Sequence, residues 1–386
     1  MRIGHDSIIG KEKNHKKSDK IYKILIIDDS ALMRSIVSDI IDKDNRFKIV
    51  DIATDGMQGL DLLVQNNGSY DIVLLDVMMP KMGGLEVLEN INKYKLHCKV
   101  IVMSALIEEG AKETILALEM GAVDFVHKPS VIHKSEKVTF EERLLKSLDS
   151  AIHSHRTHTE VTSLKTVRSE KKTVSNFFDK PVPYSGDSKP DKLIAIASST
   201  GGPRTLKEII PKLPGNLDAP VILVQHMPAG FTKSLADRLN ELSEIEVKEA
   251  ADNEPLRKGC VYIAPGGTQL RVSEGSKGTP VFSITDDPPV GGLKPCANLM
   301  YESLKKTSYK RITCVVLTGM GADGTNGIKS LSKSKKLHVI AQNAETSVVY
   351  GMPRAIAQVG LADEILPLDD ISGAIIKNVG VLNNGC

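Results

Sequence analysis

Apolar residues in this chain gather in short runs that end on polar residues and are followed by apolar positions at helical spacing. The first run, KILII at 23–27, stops at Asp28-Asp29. Ser30 stands where a helix N-cap belongs, and Met33, Ile36, Val37, Ile40 and Ile41 follow along one helix face. The same alternation predicts strands at FKIVDIA, DIVLLD (71–76), KVIVMS (99–104) and DFVHKP (124–129). Helices are expected over DGMQGLDLLVQN and AKETILALEM. Strands alternating with helices predict a doubly wound parallel sheet. Thr139 and Glu142 read as a capping box, with Leu144, Leu145, Leu148 and Ile152 as the stripe of a closing helix.

The pattern then stops. Residues 153–191 are rich in Ser, Thr, Lys and His and carry KPVPYSGDSKP, which is linker composition. Alternation resumes at LIAIAS (193–198), and Pro203 opens a helix at a first-turn position. Strands PVILVQ, VYIAP, ITCVVLT (312–318) and HVIAQ (338–342) follow. Between the first two lies a helix with Phe231, Leu235, Leu239 and Leu242 on one side. The predicted organisation is a disordered lysine-rich tail (1–20), a first α/β domain (21–152), a linker (153–191) and a second α/β domain (192–384). The two domains show no mutual similarity.

Composition narrows the class. A chain of 386 residues is too long for one ordinary core. A net charge of +2 with 25% charged residues points to neither nucleic acid nor membrane. No apolar run approaches the ~20 residues of a membrane helix, and no hydrophobic segment follows the N-terminal lysines as in a signal peptide. Cys98, Cys260, Cys296, Cys314 and Cys386 are scattered without a CxxC pair, as expected of reduced thiols in a cytoplasmic protein.

Two constellations carry chemistry. Predicted strands of the first domain end at Asp28-Asp29, Asp76, Ser104 and Lys128. Strand carboxyl ends converge in one crevice of an open parallel sheet. Three carboxylates there need a cation, and hard oxygen ligands suit Mg²⁺. Asp76 can then act as a phosphoryl acceptor, with Lys128 pairing the phosphate and Ser104 donating to it. Each Asp alone could be a mere turn residue or cap; all five residues at the ends of the proper strands are not so explained.

In the second domain LIAIAS runs into Ser199-Thr200-Gly201-Gly202 and a helix, PVILVQ ends at His226, and ITCVVLT leads to GMGADG with Asp323. A serine on a sharp strand-to-helix turn has an exposed oxygen beside helix-start amides. A nucleophile, a base and an orienting carboxylate are thus available if the fold unites them. Individually, the turn could bind phosphate, His226 could be structural and Asp323 could be a helix cap.

The segments IIDDS, LLDVMMPKMGG, VIVMSA and DFVHKP closely resemble the response-regulator receiver family over residues 23–130. That resemblance implies a flavodoxin-like fold with Asp76 as phosphoacceptor. It further implies Asp28, Asp29, Asp76 and the Met78 carbonyl as magnesium ligands, with Ser104, Lys128 and Phe125 as switch residues. STGGP, QHMPAGFTKSLADRLN, VYIAPGG, VVLTGMGADG and IAQNAETSVVYGMPRAI resemble the catalytic domain of the chemotaxis protein-glutamate methylesterase/glutaminase family over 193–370. This second resemblance implies a Rossmann-like hydrolase domain with Ser199 as nucleophile, His226 as base and Asp323 as orienting acid. The Met320 amide and the Thr200 turn would be oxyanion donors. It implies methylated chemoreceptors as substrate, a chemotaxis histidine kinase as phosphodonor and magnesium for the receiver only; the architecture, a switch domain tethered to a cleft by a polar linker, predicts a receiver that inhibits until phosphorylated. Ala197, Gln269 and Pro295-Cys296-Ala297-Asn298 depart from the family's pattern. The alternatives are a phospho-switched adaptor with an inactive hydrolase fold and, more weakly, a DNA-binding regulator, which would need a basic recognition helix.

Overall fold

The computed structural model describes residues 20–105, 108–129, 134–154, 191–275 and 278–382. The expected tail, apart from Lys20, and the expected linker between 155 and 190 lie outside the described residues.

The first domain comprises β1 (Tyr22–Ile27), α1 (Ala31–Ile41), β2 (Phe47–Ala53), α2 (Gly56–Gln65), β3 (Ile72–Asp76), α3 (Gly84–Lys93), β4 (Lys99–Ser104), α4 (Glu108–Glu119), β5 (Asp124–His127) and α5 (Lys134–His153). All strand pairs are parallel, in the order β2-β1-β3-β4-β5. The run at β1 is continuous rather than alternating because both its faces are covered. Ile24 and Ile26 pack with Val37 of α1 and Leu148 of α5, while Leu25 and Ile27 pack with Leu63 of α2 and Ile91 of α3. Ser30 caps α1, its hydroxyl accepting from the Met33 amide.

Two local expectations differ. Helix α5 begins at Lys134, so Thr139 and Glu142 lie inside it rather than at its start. Helix α3 was not foreseen, although Val87, Leu88 and Ile91 bury at helical spacing behind the MMPKMGG loop.

The second domain comprises β6 (Lys192–Ser198), α6 (Gly202–Ile209), β7 (Val221–Gln225), α7 (Phe231–Leu242), β8 (Glu246–Glu249), β9 (Cys260–Ile263), the antiparallel hairpin β10 (Gln269–Glu274) and β11 (Pro280–Thr285), α8 (Ala297–Ser303), β12 (Arg311–Val316), α9 (Thr325–Leu331), β13 (Lys336–Gln342), α10 (Met352–Gln358), β14 (Glu364–Leu366) and α11 (Leu368–Val379). Seven parallel strands run β14-β13-β12-β6-β7-β9-β8. From β6 the chain first winds toward β8 and then returns to β12 on the other side. The carboxyl ends of β6 and β12 therefore flank a switch point, where doubly wound sheets bind ligands.

The domains share one apolar cluster, in which Ile115 and Leu118 of α4 join Leu206 of α6 and Leu235 of α7. Phe125 packs on the buried Phe231, with ring centroids 4.7 Å apart. Glu119, its side chain nearly buried, closes the contact as a carboxylate between two cations. It lies 2.9 Å from Lys207 and 3.0 Å from the Nε of Arg238.

Candidate active site and phosphoacceptor pocket

The strand ends of the first domain bring Asp28, Asp29, Asp76 and Lys128 together. One carboxylate oxygen from each of Asp28, Asp29 and Asp76 lies within 4.8 Å of the others, with Asp29 exposed and the other two residues buried. Lys128 reaches across to Asp28 at 2.8 Å and Asp76 at 2.6 Å. The Met78 amide donates to Asp76 at 3.3 Å. Ser104 is buried, its hydroxyl donating to the Gly110 carbonyl at 3.1 Å. Burial pushes the Asp76 carboxyl up to about 6, with Asp28 adding to the rise and Lys128 opposing it. A hard divalent cation fits this donor set, because it would neutralise carboxylates already crowded by burial and by one another.

That crowding has a measurable consequence. A carboxylate whose folded-state value is raised destabilises the fold when ionised, from no effect below about 4 to its full effect above about 6. Asp76→Asn should therefore stabilise the metal-free chain at pH 8 by up to roughly 3 kcal/mol. The gain should shrink as pH falls through 6 and vanish near 4. Thermal unfolding with a chelator checks this; an Asn variant no more stable at pH 8 than at pH 4, relative to wild type, would contradict it.

The hydrolytic triad candidates come from three adjacent strands: Asp323 after β12, Ser199 after β6 and His226 after β7. The turn between β6 and α6 is tight for identifiable reasons. Gly201 has φ +79°, and a Cβ there would meet Val348 at 2.5 Å. A Cβ on Gly202 would come within 1.8 Å of the Gln225 side-chain oxygen. Ser199 presses against Gly319, where a Cβ would approach its own at 2.8 Å, so the turn abuts the loop bearing Met320. Among the described residues, neither the Thr200 nor the Met320 amide donates a hydrogen bond, as an oxyanion site requires.

His226 Nε2 lies 2.8 Å from Asp323 Oδ2. With the carboxylate accepting, that nitrogen carries the proton and Nδ1 is the one left to act as base. No hydrogen bond joins Ser199 to His226 among the described residues. Asp323 is held by the Ala297 amide at 2.6 Å, the Asn298 amide at 3.0 Å and the Gly324 amide at 2.9 Å. Burial alone would raise its carboxyl, but His226 and the Ala297 and Asn298 amides bring it down to about 2.

Residues missed in the sequence also support the site. Gln225, buried, accepts from the Ser198 hydroxyl at 2.6 Å and donates to the Ser199 carbonyl at 2.9 Å. In the sequence it reads only as the last residue of a strand, and its reach to the turn shows in the structure alone. The departures from the family's pattern prove local: Ala197 is fully buried within β6, and Gln269 accepts from the Cys296 amide at 3.0 Å. The Asn298 side chain accepts from the Gly324 and Gly327 amides at 3.1 and 2.7 Å, fixing the start of α9.

The receiver touches this turn directly. The Thr200 hydroxyl donates to Asp124 of β5 at 3.2 Å and lies 3.4 Å from Ser150 of α5, and the Ser150 hydroxyl reaches the Met320 sulfur at 3.4 Å. Burial pushes the Asp124 carboxyl up, against its donors Phe125, Ser147 and Thr200.

Residues 194–375 match the family model described as CheB methylesterase, and residues 24–138 match the response regulator receiver domain. The chain is 39% identical to protein-glutamate methylesterase/protein-glutamine glutaminase 1 of Syntrophomonas wolfei, covering 92% of this chain and 98% of that protein. It is 40% identical to the protein-glutamate methylesterase/protein-glutamine glutaminase of Bacillus subtilis, again over 92% and 98%. The solved CheB methylesterase catalytic domain of Thermotoga maritima is 42% identical, covering 48% of this chain and 97% of that chain with a TM-score of 0.47.

Proposed function

The chain belongs to the protein-glutamate methylesterase/protein-glutamine glutaminase family, and from that premise we propose how its residues perform and regulate the reaction. The enzyme hydrolyses glutamate methyl esters of chemoreceptors, releasing methanol, and deamidates receptor glutamines; its receiver makes the activity respond to phosphorylation. His226 Nδ1 takes the Ser199 proton, and Ser199 Oγ attacks the side-chain carbonyl of a receptor methyl-glutamate. Asp323 orients the ring and balances its developing charge. The Thr200 and Met320 amides face the tetrahedral oxyanion. The proton held on His226 passes to the departing methanol, and water then repeats the sequence on the acyl-enzyme to leave glutamate. An amide substrate gives ammonia and glutamate through the same acyl-enzyme.

Asp28, Asp29, Asp76 and the Met78 carbonyl would hold Mg²⁺, which supplies charge neutralisation for a phosphoryl group arriving at Asp76. A chemotaxis histidine kinase is the expected donor. No helix among the described residues is long and apolar enough to cross a membrane, and a cytoplasmic site of action is part of this reading.

The observation that carries the regulatory reading is the grip of Ser150 and Asp124 on Thr200 and Met320, the residues assigned to the oxyanion. A docked receiver holds both side chains, and Ser199 beside Thr200 is only 8% exposed. A phosphate at Asp76 adds ~1.5–2 negative charges beside Lys128 and draws on Ser104, and a shift there is passed through Phe125 to the interface. The test is methanol release from a methylated chemoreceptor fragment, with and without acetyl phosphate and Mg²⁺. Stimulation is expected for the wild type and should be absent in Asp76→Asn; equal stimulation of that variant would reject Asp76 as the acceptor.

A further inference from the structure

The carboxylate of Asp323 has one contact beyond the amides and the imidazole. The thiol of Cys296 lies 3.3 Å from Oδ1 and is itself buried, 2% exposed. Oδ2 serves His226 and the Ala297 amide, whereas Oδ1 is shared among Cys296 and the Asn298 and Gly324 amides. The amides come from the starts of α8 and the turn before α9, so their directions are fixed by the backbone. Among the described residues, Cys296 is the one donor to Oδ1 that is a side chain. Its own position is set from behind, by the Gln269 oxygen accepting from its amide. Gln269 is in turn anchored on the Pro288 and Leu293 carbonyls at 3.2 and 3.0 Å.

We infer that Cys296 is a positioning residue of the hydrolytic site: its S–H donates to Asp323 Oδ1, fixes the rotation of that carboxylate and tempers the charge it presents to His226. The inference rests on the triad reading given above. Donation requires a protonated sulfur, and burial together with the Asp323 charge pushes the thiol up to about 11, so it remains S–H at neutral pH. A carboxylate that loses a donor holds its other partners more tightly, and a positive imidazolium gains most. It also gains freedom to rotate, which disorders the ring it orients. Two effects on the reaction follow: slower turnover with little change in KM, and an acid limb of the kcat/KM profile displaced to higher pH.

Two substitutions of opposite character separate donation from packing in the full-length, phosphodonor-activated chain. Cys296→Ser keeps a donor and gives up volume; Cys296→Val keeps the volume and gives up the donor. If donation matters, Cys296→Val should lose about tenfold in kcat, equivalent to ~1.4 kcal/mol of barrier. Its KM should stay within twofold, and its acid limb should move up by about half a pH unit. Cys296→Ser should stay within threefold of wild type with the limb in place. The inference fails if the Val variant matches wild type in rate and pH profile, or if Ser is impaired and Val is not. It fails equally if both variants lose the same activity with unmoved limbs, since that is a packing effect. Asp323→Ala serves as the reference: on that background Cys296→Val should have no further effect on the limb. Full activity of Asp323→Ala would overturn the triad reading itself, which is a different result from an inert Cys296. Circular dichroism and thermal unfolding of each variant establish that folded protein is being compared.

Discussion

Ser199→Ala should abolish methanol release, by up to ~10⁶ in turnover, while phosphorylation at Asp76 survives. His226→Ala should fall with it, and Asp323→Ala should be the mildest of the three. The neighbouring hydroxyl provides an internal control. Ser198 is fully buried and donates to the Gln225 side-chain oxygen at 2.6 Å. Successive side chains of a strand point to opposite faces, and Ser199 begins the turn that follows. Ser198→Ala leaves a buried acceptor without its donor, a stability loss of about 1–3 kcal/mol. Because Gln225 also holds the Ser199 carbonyl, turnover should drop as well, but only about tenfold, or ~1.4 kcal/mol of barrier. Steady-state methanol release by both variants decides the matter. A dead Ser198→Ala beside an active Ser199→Ala would move the nucleophile off Ser199.

Glu119→Lys should raise the activity of the unphosphorylated chain. Glu119 sits between Lys207 and Arg238, contacting Arg238 through both Nε and Nη2 at 3.0 and 3.2 Å, and its side chain is only 5% exposed. Replacing it with a cation converts a nearly buried attraction into three positive charges in one place. Glu119 is nearly buried but Lys207 and Arg238 are about a third exposed, so losing its charge-assisted hydrogen bonds costs about 1.5–3 kcal/mol. Each ~1.4 kcal/mol moves the docked-to-released ratio tenfold. Basal methanol release should rise by roughly 10- to 100-fold, up to the phosphorylated rate and no further, and stimulation by acetyl phosphate should shrink to match. Arg238→Glu combined with Glu119→Arg should restore part of the inhibition. If Glu119→Lys leaves the basal rate unchanged, the α4 contact does not restrain the enzyme.

Both domains were legible in the sequence wherever burial acts on a single stretch of chain. KILII and LIAIAS stand out because β1 and β6 are covered on both faces, so their apolar runs need no partner to be recognised. The acidic pocket was legible for a similar reason: Asp28, Asp76 and Lys128 each end a strand, and a parallel sheet sends all such ends one way. The triad was less so. Ser199, His226 and Asp323 converge because β12, β6 and β7 are neighbours, and that order is a long-range property with no trace in local periodicity. Cys296 stood out only as part of a departure from the family's pattern, and Gln225 not at all. One looked like a scattered thiol and the other like a strand terminus, and their roles exist only through partners 27 residues away. Glu119 read as an ordinary polar position of an amphipathic helix, because the cations that bury it belong to the other domain.

The apolar cluster that spans both domains gives the switch a thermal character. Docking hides Phe231 and its neighbours from water, so the docked state is favoured in part by the release of ordered solvent rather than by heat. Such a contribution weakens on cooling. If the docked receiver restrains the enzyme as proposed, the balance between restrained and released enzyme is tied to the temperature of the surroundings, and an unphosphorylated population should leak more of its activity in the cold. A cell that uses this protein to reset its receptors would inherit a baseline that drifts with temperature even when its signalling input is constant.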